Sequence, residues 1–373
     1  MIALAFQIIL HQPFRFAAAL MGVSVAAGLA FIQLGLYMGF KENASIIVDH
    51  TDGDIWVCAQ HQDNFDFPKQ LPTRTLDIVR STRGVKAAHP MLIVFSHWKL
   101  KSGDEKTVQI VGFDSERGIG RPWVLLRGFS KDLAEPGGVT LDATSQRKLD
   151  NADLGAFTEI GQVQAHVVGV TDGIRSFQGN PMLFTDLNNA RSFGHLPSDA
   201  IHYIIVELEP GANSADVMSS LRGIDYTEAY TGEAFSKKAQ DYWLNSTGAG
   251  PALGMAAVMG LIVGVVVAGI VLYTSTLEHL KEYGTLKAMG ASNFQVTGVI
   301  IAQAVAGAVP AHIFAGGMLW IAGRTIGGAG IHLSINFNQY CQALVLTVAV
   351  CVFASLLSVV KVMSVEPAEV FKG

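Results

Sequence analysis

The chain has 373 residues; 50% are apolar and only 15% are charged, against roughly a quarter charged in an average soluble domain. This composition excludes an ordinary soluble protein, because residues 41–247 hold 27 of the 31 acidic and 20 of the 26 basic side chains. The acidic excess of this central block also argues against a nucleic-acid partner. We therefore predict an integral membrane protein that carries one water-soluble domain.

The chain begins with an apolar segment, residues 1–16, that contains Pro13 and Arg15 and is predicted as a cytoplasmic or interfacial helix. Residues 17–40 follow without one Asp, Glu, Lys or Arg and form the first predicted span. The small-residue triplet at 17–19 precedes this run, whereas a signal-peptide cleavage site follows its apolar region. The first span is therefore predicted to be an uncleaved anchor.

The central block, residues 41–247, has the pattern of a mixed α+β domain. Strand-like residues 52–59 lead to a helix opened by Pro72 or Thr73, and then to a β-rich stretch from residue 86. The same order returns late in the block, with strands at 202–209 and 224–231 around a helix that Asn213 or Ser214 opens. We predict that the two β–α–β pieces pair into one split ferredoxin-like (porter) layer. Residues 112–199 would form an inserted, β-rich subdomain, in which Thr185 or Asp186 caps a short helix.

Three more spans are predicted at 253–273, 293–322 and 340–360, each about the 20 residues that a helix needs to cross a bilayer. They are separated by a bridge at 274–292 and a short external loop at 323–339, and a tail follows at 361–373. The basic residues of the short segments favour cytoplasmic termini, a cytoplasmic bridge and an exported central block. These residues are Arg15, Lys281, Lys287, Lys361 and Lys372 on one side, against Lys41 and Arg324 on the other.

Catalytic motifs are absent from the sequence. It contains no G-x-x-x-x-G-K-[ST] loop, no G-x-S-x-G elbow and no H-E-x-x-H pair, and its exported histidines lack metal-ligand spacing. The uncharged spans argue against a proton or ion relay. Three cysteines, Cys58, Cys341 and Cys351, make no disulfide framework. We predict a chain that is not an enzyme and binds neither metal nor cofactor.

The bridge stands out because it places acids and bases alternately between two uncharged runs. Residues 277–289 are predicted as one amphipathic helix, followed by a left-handed cap at Gly290 and by a capping box, Ser292 to Gln295, that opens the next span. Mixed charge favours docking on a protein over binding to lipid headgroups; a merely solvated loop is the alternative. The predicted polar side holds Glu278, Lys281, Glu282 and Thr285, and the other side holds Leu277, Leu280, Tyr283 and Gly284, with Lys287 at its edge.

The stretch "LEHLKEYGTLKAMGAS" resembles the signature of FtsX/MacB-type permeases, the type VII ABC transporters. The residues that match are Glu278, Glu282, Tyr283, Gly284, Lys287, Ala288, Gly290, Ala291 and Ser292. His279 occupies the position of the usual arginine, which changes one polar contact of the family pattern. The tail "SVEPAEVFKG" resembles the family's closing piece at Pro367, Ala368 and Glu369, while "VQIVGFD" and "NPMLFTDLNNAR" look closest to the DevC-like branch.

This resemblance implies the permease subunit of an ABC exporter or extraction complex in a bacterial inner membrane. The bridge would be the helix that docks on a separate ATPase, where ATP and magnesium bind. Glu278 and Glu282 would serve polar docking, Tyr283 packing and Gly284 close approach, while Lys287 would make a polar contact and Gly290 the corner. The family works as a pair of permeases, for which a homodimer is expected here, and moves its exported domains by mechanotransmission.

The remaining partners follow from the same resemblance. They are a periplasmic adaptor, an outer-membrane duct and, as cargo, a lipid, a glycolipid or another hydrophobic molecule. The alternative is an FtsX-like regulator that activates a cell-wall hydrolase, and a third class is a membrane-anchored sensor that has no ATPase.

Overall fold

The computed structural model describes residues 13–174, 176, 178–327 and 335–363. The predicted N-terminal helix lies mostly outside these residues, as do Pro367, Ala368 and Glu369 of the tail. The chain divides into two compact units: one holds the long apolar helices, and the other comprises Phe40–Gly250.

Ten strands of the described chain form one sheet in the second unit. Their bounds are β1 Ile55–Ala59, β2 Val85–Lys99, β3 Glu105–Phe113, β4 Leu125–Gly128, β5 Gly138–Asp142, β6 Phe157–Ile160, β7 Val163–Thr171, β8 Met182–Asp186, β9 Tyr203–Leu208 and β10 Thr227–Thr231. The helices of this unit are α2 Ile46–Asp49, α3 Arg74–Arg80, α4 Leu187–Phe193, α5 Ser214–Arg222 and α6 Gly232–Asp241.

The ferredoxin-like layer is the part of the sheet with strand order β10-β1-β9-β2. All three pairings are antiparallel, and α3 and α5 follow β1 and β9, as a β–α–β–β–α–β layer requires. Alternate residues of β1 enter different cores: Ile55 packs with α3 and α5, while Trp56 packs against α6. The predicted layer is confirmed, and the inserted segment leaves it between β2 and β9.

The inserted subdomain is built on the outer half of β2, which is long enough to serve both layers. It adds β3 and β8 on one side and β6, β7, β5 and β4 on the other. Asp186 caps α4 by accepting from the Asn188 amide, at 3.0 Å. Thr73 does not cap α3, because its hydroxyl donates to the Asp199 carbonyl instead.

Within the described residues, four helices are long and apolar enough to cross a membrane. They are α1 Pro13–Asn43, α7 Ala249–Glu278, α9 Asn293–Gly327 and α10 Phe337–Met363, and the short helix α8, Leu280–Ala288, lies between α7 and α9. The predicted spans 17–40, 253–273, 293–322 and 340–360 lie within these helices, which extend beyond them at one or both ends. The predicted bounds were drawn where the sequence stops being apolar. A helix can extend beyond that point, because its backbone hydrogen bonds do not require apolar side chains.

His312 lies inside α9, two residues after Pro310, and its ring is buried against Tyr340 and Phe31, with centroids 4.3 and 4.9 Å away. Tyr340 donates a hydrogen bond to the His312 carbonyl at 3.2 Å. This histidine therefore joins α9 to α10 and α1 as a packing residue.

Candidate functional site

The candidate site is the segment that turns the chain from α7 into α9. Its predicted residues are distributed as follows: Glu278 at the end of α7; Lys281, Glu282, Tyr283, Gly284 and Lys287 on α8; Gly290 in the corner; Ser292 and Gln295 at the start of α9.

One helix over 277–289 was predicted, and this is corrected by the structure. His279 leaves the helical conformation (φ −95°, ψ 14°), so α7 ends at Glu278 and α8 begins at Leu280. The backbone hydrogen bonds continue across the break, since the His279 amide donates to Ser275 and the Tyr283 amide donates to His279. The break could not be predicted from the sequence, because His279 is neither glycine nor proline.

The corner after α8 is a Schellman motif. The Gly290 amide donates to the Lys287 carbonyl and the Ala291 amide donates to the Leu286 carbonyl, both at 3.0 Å. Gly290 has φ +94°, the left-handed conformation in which a side chain is strained. A Cβ at Gly290 would meet no atom within 4 Å, so the backbone angle alone calls for glycine.

A capping box closes the other side of the corner. The Ser292 amide donates to Gln295 Oε1 at 2.8 Å, and the Gln295 amide donates to Ser292 Oγ at 3.3 Å. Two residues therefore separate the cap of α8 from the cap of α9, and both ends are hydrogen-bonded. The connection between the two helices is short and defined.

The inner side of α8 is held by Tyr283, whose side chain is 1% exposed. It packs with Val296, Val299, Ile300 and Val359. Its hydroxyl donates to Gln303 Oε1 at 2.6 Å. Burial raises the pKa of the Tyr283 phenol above its ordinary value, so the group remains a neutral donor.

Gln303 was not predicted as a site residue, although the sequence contains a signal for it. A lone amide in an apolar span needs an internal partner, because lipid offers none. The partner is 20 positions away on another helix, and spacing could not identify it.

The outer side of α8 exposes Lys281 and Thr285, as predicted. This exposed surface continues around the corner to Met289 and Phe294, and the Phe294 residue is 87% exposed. The Glu282 side chain is only 36% exposed, and its carboxylate lies 3.4 Å from Nδ1 of buried His279. The contact of Glu282 therefore involves the residue that replaces the usual arginine.

The arrangement offers a polar strip flanked by exposed apolar side chains on a rigid corner. This combination is typical of a protein-docking surface. Among the residues that the structure describes, no group of three or more His, Cys, Asp or Glu side chains could hold a metal ion.

Comparison with known families adds two matches that together span most of the chain. Residues 16–224 match the model of the MacB-like periplasmic core domain. Residues 254–367 match the FtsX-like permease C-terminal model.

Two relatives and two solved structures are similar to this chain. An uncharacterized ABC transporter permease of Mycobacterium tuberculosis, found in two strains, is 23% identical over 371 residues and covers 96% of each chain. The periplasmic region of MacB from Actinobacillus actinomycetemcomitans is 12% identical, with a TM-score of 0.38, over 51% of this chain and 94% of that one. The extracellular domain of the noncanonic ABC-type transporter YknZ from Gram-positive bacteria is 11% identical, with a TM-score of 0.36, over 48% and 98%.

Proposed function

Because the chain belongs to the family of MacB-like and FtsX-like ABC transporter permeases, we propose that it is the membrane subunit of a complex that works by mechanotransmission. The complex exports or extracts a hydrophobic cargo. Movement that an ATPase imposes on the α8 corner passes along the spans to the exported unit, and the chain itself carries out no chemical step.

The observation that carries this proposal is the construction of the corner. A Schellman motif, a capping box and the Tyr283–Gln303 hydrogen bond all restrict α8 relative to α9. A loop that only connects two spans would need none of these restraints. A helix that receives force needs them, because a flexible connection would absorb the movement.

The partner implied by family membership is an ATPase, and we place its docking surface on the outer side of α8. Lys281 and Thr285 supply the polar contacts, and Met289 and Phe294 supply apolar ones. ATP and Mg²⁺ bind to that partner, and this chain needs no cofactor of its own.

A second partner, a periplasmic adaptor, is proposed for the inserted subdomain. Leu126, Phe129, Leu154 and Phe157 are exposed there. The segments that carry them flank the same side of β7, and an ion pair between Arg127 and Asp153 joins these segments. Exposed apolar side chains concentrated in one region favour a protein partner.

The cargo is proposed to be a lipid, a glycolipid or another hydrophobic molecule. A cavity of about 230 Å³ between α1, α7 and α10 is lined by apolar side chains, among them Ala27, Phe31, Leu261 and Leu346. An engineered apolar cavity of about 150 Å³ already binds benzene, so this space can hold part of a hydrocarbon chain.

We further propose a pair of identical permeases in a bacterial inner membrane. The span α7 is the least buried of the four, and it exposes Val258, Ile262 and Val266. A second copy can cover part of this surface, and lipid covers the rest.

The test is purification of the tagged, full-length chain from its native membrane in mild detergent. We expect an ABC ATPase and an adaptor to co-purify, with ATP hydrolysis in the preparation. Reversing the charge of the docking surface with Lys281→Glu should release the ATPase, whereas Lys86→Glu on the exported unit should not. Recovery of a cell-wall hydrolase instead of an adaptor would support the regulator, and recovery of no ATPase would refute the proposal.

A further inference from the structure

The chain enters its second span through an unusual junction. Helix α6 ends at Asp241 and continues as one turn of π-helix, Tyr242–Ser246, before α7 begins at Ala249. Single π-turns are rare and occur often at functional sites. A Cβ at Gly250 would overlap the backbone of Leu244, so the first turn of α7 packs directly on the π-turn.

One carboxylate ties this junction to the sheet. Asp66 is 4% exposed. Its Oδ2 accepts from Trp243 Nε1 at 2.8 Å, and its Oδ1 accepts from Gln109 Nε2 at 3.0 Å. Trp243 belongs to the π-turn and Gln109 to β3, a strand of the inserted subdomain.

The loop that carries Asp66 is itself held firmly. Asn64 Oδ1 accepts from the Phe67 amide at 2.7 Å, and Gln62 Oε1 accepts from the Lys69 amide at 2.8 Å. Phe67 also stacks on Phe95 of β2, with ring centroids 5.5 Å apart. A displacement of Trp243 would therefore reach β2 and β3 and would not be lost in the loop.

An aspartate at position 66 can do what an asparagine cannot, although burying its charge is costly. Both donors to Asp66 are neutral, and a buried carboxylate without a basic partner is costly. An asparagine would avoid that cost, but its amide cannot accept hydrogen bonds through both terminal atoms. Aspartate accepts from both donors at once, and each bond is strengthened by its charge.

We propose that Asp66 is a positioning residue that fixes the start of the second span to the exported sheet, so that movement of the span reaches the sheet through Trp243, Asp66 and Gln109. This inference rests on the proposed function and deepens it, because it assigns the path by which the exported unit is moved.

The junction should also respond to pH. Among the described residues, the titratable group that interacts with Asp66 is the phenol of Tyr203 on β9, and the thiol of Cys58 on β1 interacts in turn with Tyr203. Burial raises the pKa of both, so both remain neutral. The two side chains that donate to Asp66 are also uncharged; they belong to Trp243 in the π-turn and to Gln109 on β3. Burial raises the pKa of Asp66 to about 6, against the opposing effect of its two hydrogen bonds. Protonation occupies one oxygen and removes the charge that strengthens both bonds.

The experiment uses the full chain with its ATPase in nanodiscs and follows hydrogen exchange without nucleotide and after ATP and vanadate have trapped ADP–vanadate in the ATPase. In the wild type, we expect nucleotide to change exchange in α8 and also in β2 and β3. Trp243→Phe keeps an aromatic ring but removes the indole N–H donor together with part of the ring's volume, and the loss of volume is matched by the control below. In this variant the change in α8 should persist, while the change in β3 falls about fivefold, as expected for the loss of one hydrogen bond.

Two controls make the result specific. Trp98→Phe makes the same ring change in a buried position of the inserted subdomain, away from the junction, and should transmit normally. In the wild type, transmission should weaken as the pH falls from 7.5 to 5, and Asp66→Asn should remove this pH dependence, which a purely structural role would not produce.

Normal transmission in Trp243→Phe, or an unchanged pH profile in Asp66→Asn, would overturn this inference while leaving the proposed function intact. Absence of any nucleotide-dependent change in the wild-type chain would overturn both.

Discussion

The hydroxyl of Tyr283 donates to the Gln303 side-chain oxygen across 2.6 Å, and this bond joins α8 to the third turn of α9 rather than to its first turn. The corner between the two helices is fixed locally by its caps, and the Tyr283–Gln303 bond adds a second point of attachment ten residues into the span. Two points of attachment prevent rotation about the corner. Helix α8 and the third span are therefore expected to move as one body.

This attachment can be measured with a double-mutant cycle in detergent. Tyr283→Phe leaves the partly buried Gln303 oxygen without its donor and should lower the free energy of unfolding by about 1–2 kcal/mol. Gln303→Leu should have a similar cost, and the double variant should cost less than the sum of the two. Strictly additive costs would show that the two side chains do not interact.

Gly290→Val places a β-branched residue in a left-handed conformation and should strain the corner by about 1–3 kcal/mol. We expect the protein still to insert in the membrane, while ATP hydrolysis by the complex no longer drives export. Gly290→Asn should be milder, because asparagine tolerates this conformation. Gly298→Ala is the matched control, since a Cβ at Gly298 on α9 meets no atom within 4 Å. Coupled activity in Gly290→Val would refute the role of the corner.

At the other end of α7, Gly250 and Gly254 form a matched pair. A Cβ at Gly250 would overlap the Leu244 carbonyl, whereas one at Gly254 would meet nothing within 4 Å. Gly250→Ala should therefore separate α7 from the π-turn, lower stability by about 1–3 kcal/mol and speed hydrogen exchange over residues 242–250. Gly254→Ala should be neutral or slightly stabilising. Equal behaviour of the two variants would contradict the packing described here.

The pH dependence of stability follows from Asp66. Its pKa is about 6 in the folded protein and 3.8 ordinarily, because burial disfavours the charged form. Between these values the folded state binds a proton that the unfolded state has released, so stability falls as the pH rises through this window. We expect a contribution on the order of 1–3 kcal/mol in thermal unfolding of the full chain in detergent. Asp66→Asn should lack this component of the slope.

The stability of the folded unit and transmission through Asp66 should respond to acidification in opposite directions. Acidification should stabilise the folded unit as a whole, since the cost of a buried charge disappears, but it should weaken the bonds that Asp66 makes to Trp243 and Gln109. If stability and transmission changed in the same direction on acidification, the role assigned to Asp66 would be wrong.

Binding of the adaptor is expected to depend on the exposed aromatic side chains of the inserted subdomain. Replacing Phe129 and Phe157 together by serine removes two exposed rings and should reduce adaptor recovery at least about tenfold without unfolding the chain. Ile78→Ser removes an exposed apolar residue from α3 in the ferredoxin-like layer and should leave recovery unchanged. Quantitative mass spectrometry of the purified complex measures both.

The sequence alone determined the features that depend on neighbouring residues. The apolar runs predicted the four long apolar helices, since about 20 residues without charge are enough for a helix to cross a bilayer. Gly290 and the pair Ser292 and Gln295 predicted the corner, because caps are made within one turn of a helix. The repeated β–α–β pattern predicted the ferredoxin-like layer, which the strand order confirms.

Only the tertiary structure decided which distant residues meet. Asp66 and Trp243 are 177 positions apart, and their hydrogen bond exists because the 60–69 loop and α6, the helix that leads into the π-turn, pack into the same core. Gln303 reaches Tyr283 because α8 folds back along α9, and α7 extends to Glu278 because nothing interrupts its backbone earlier. Such contacts depend on the path of the whole chain, whereas caps and apolar runs depend on a few adjacent residues.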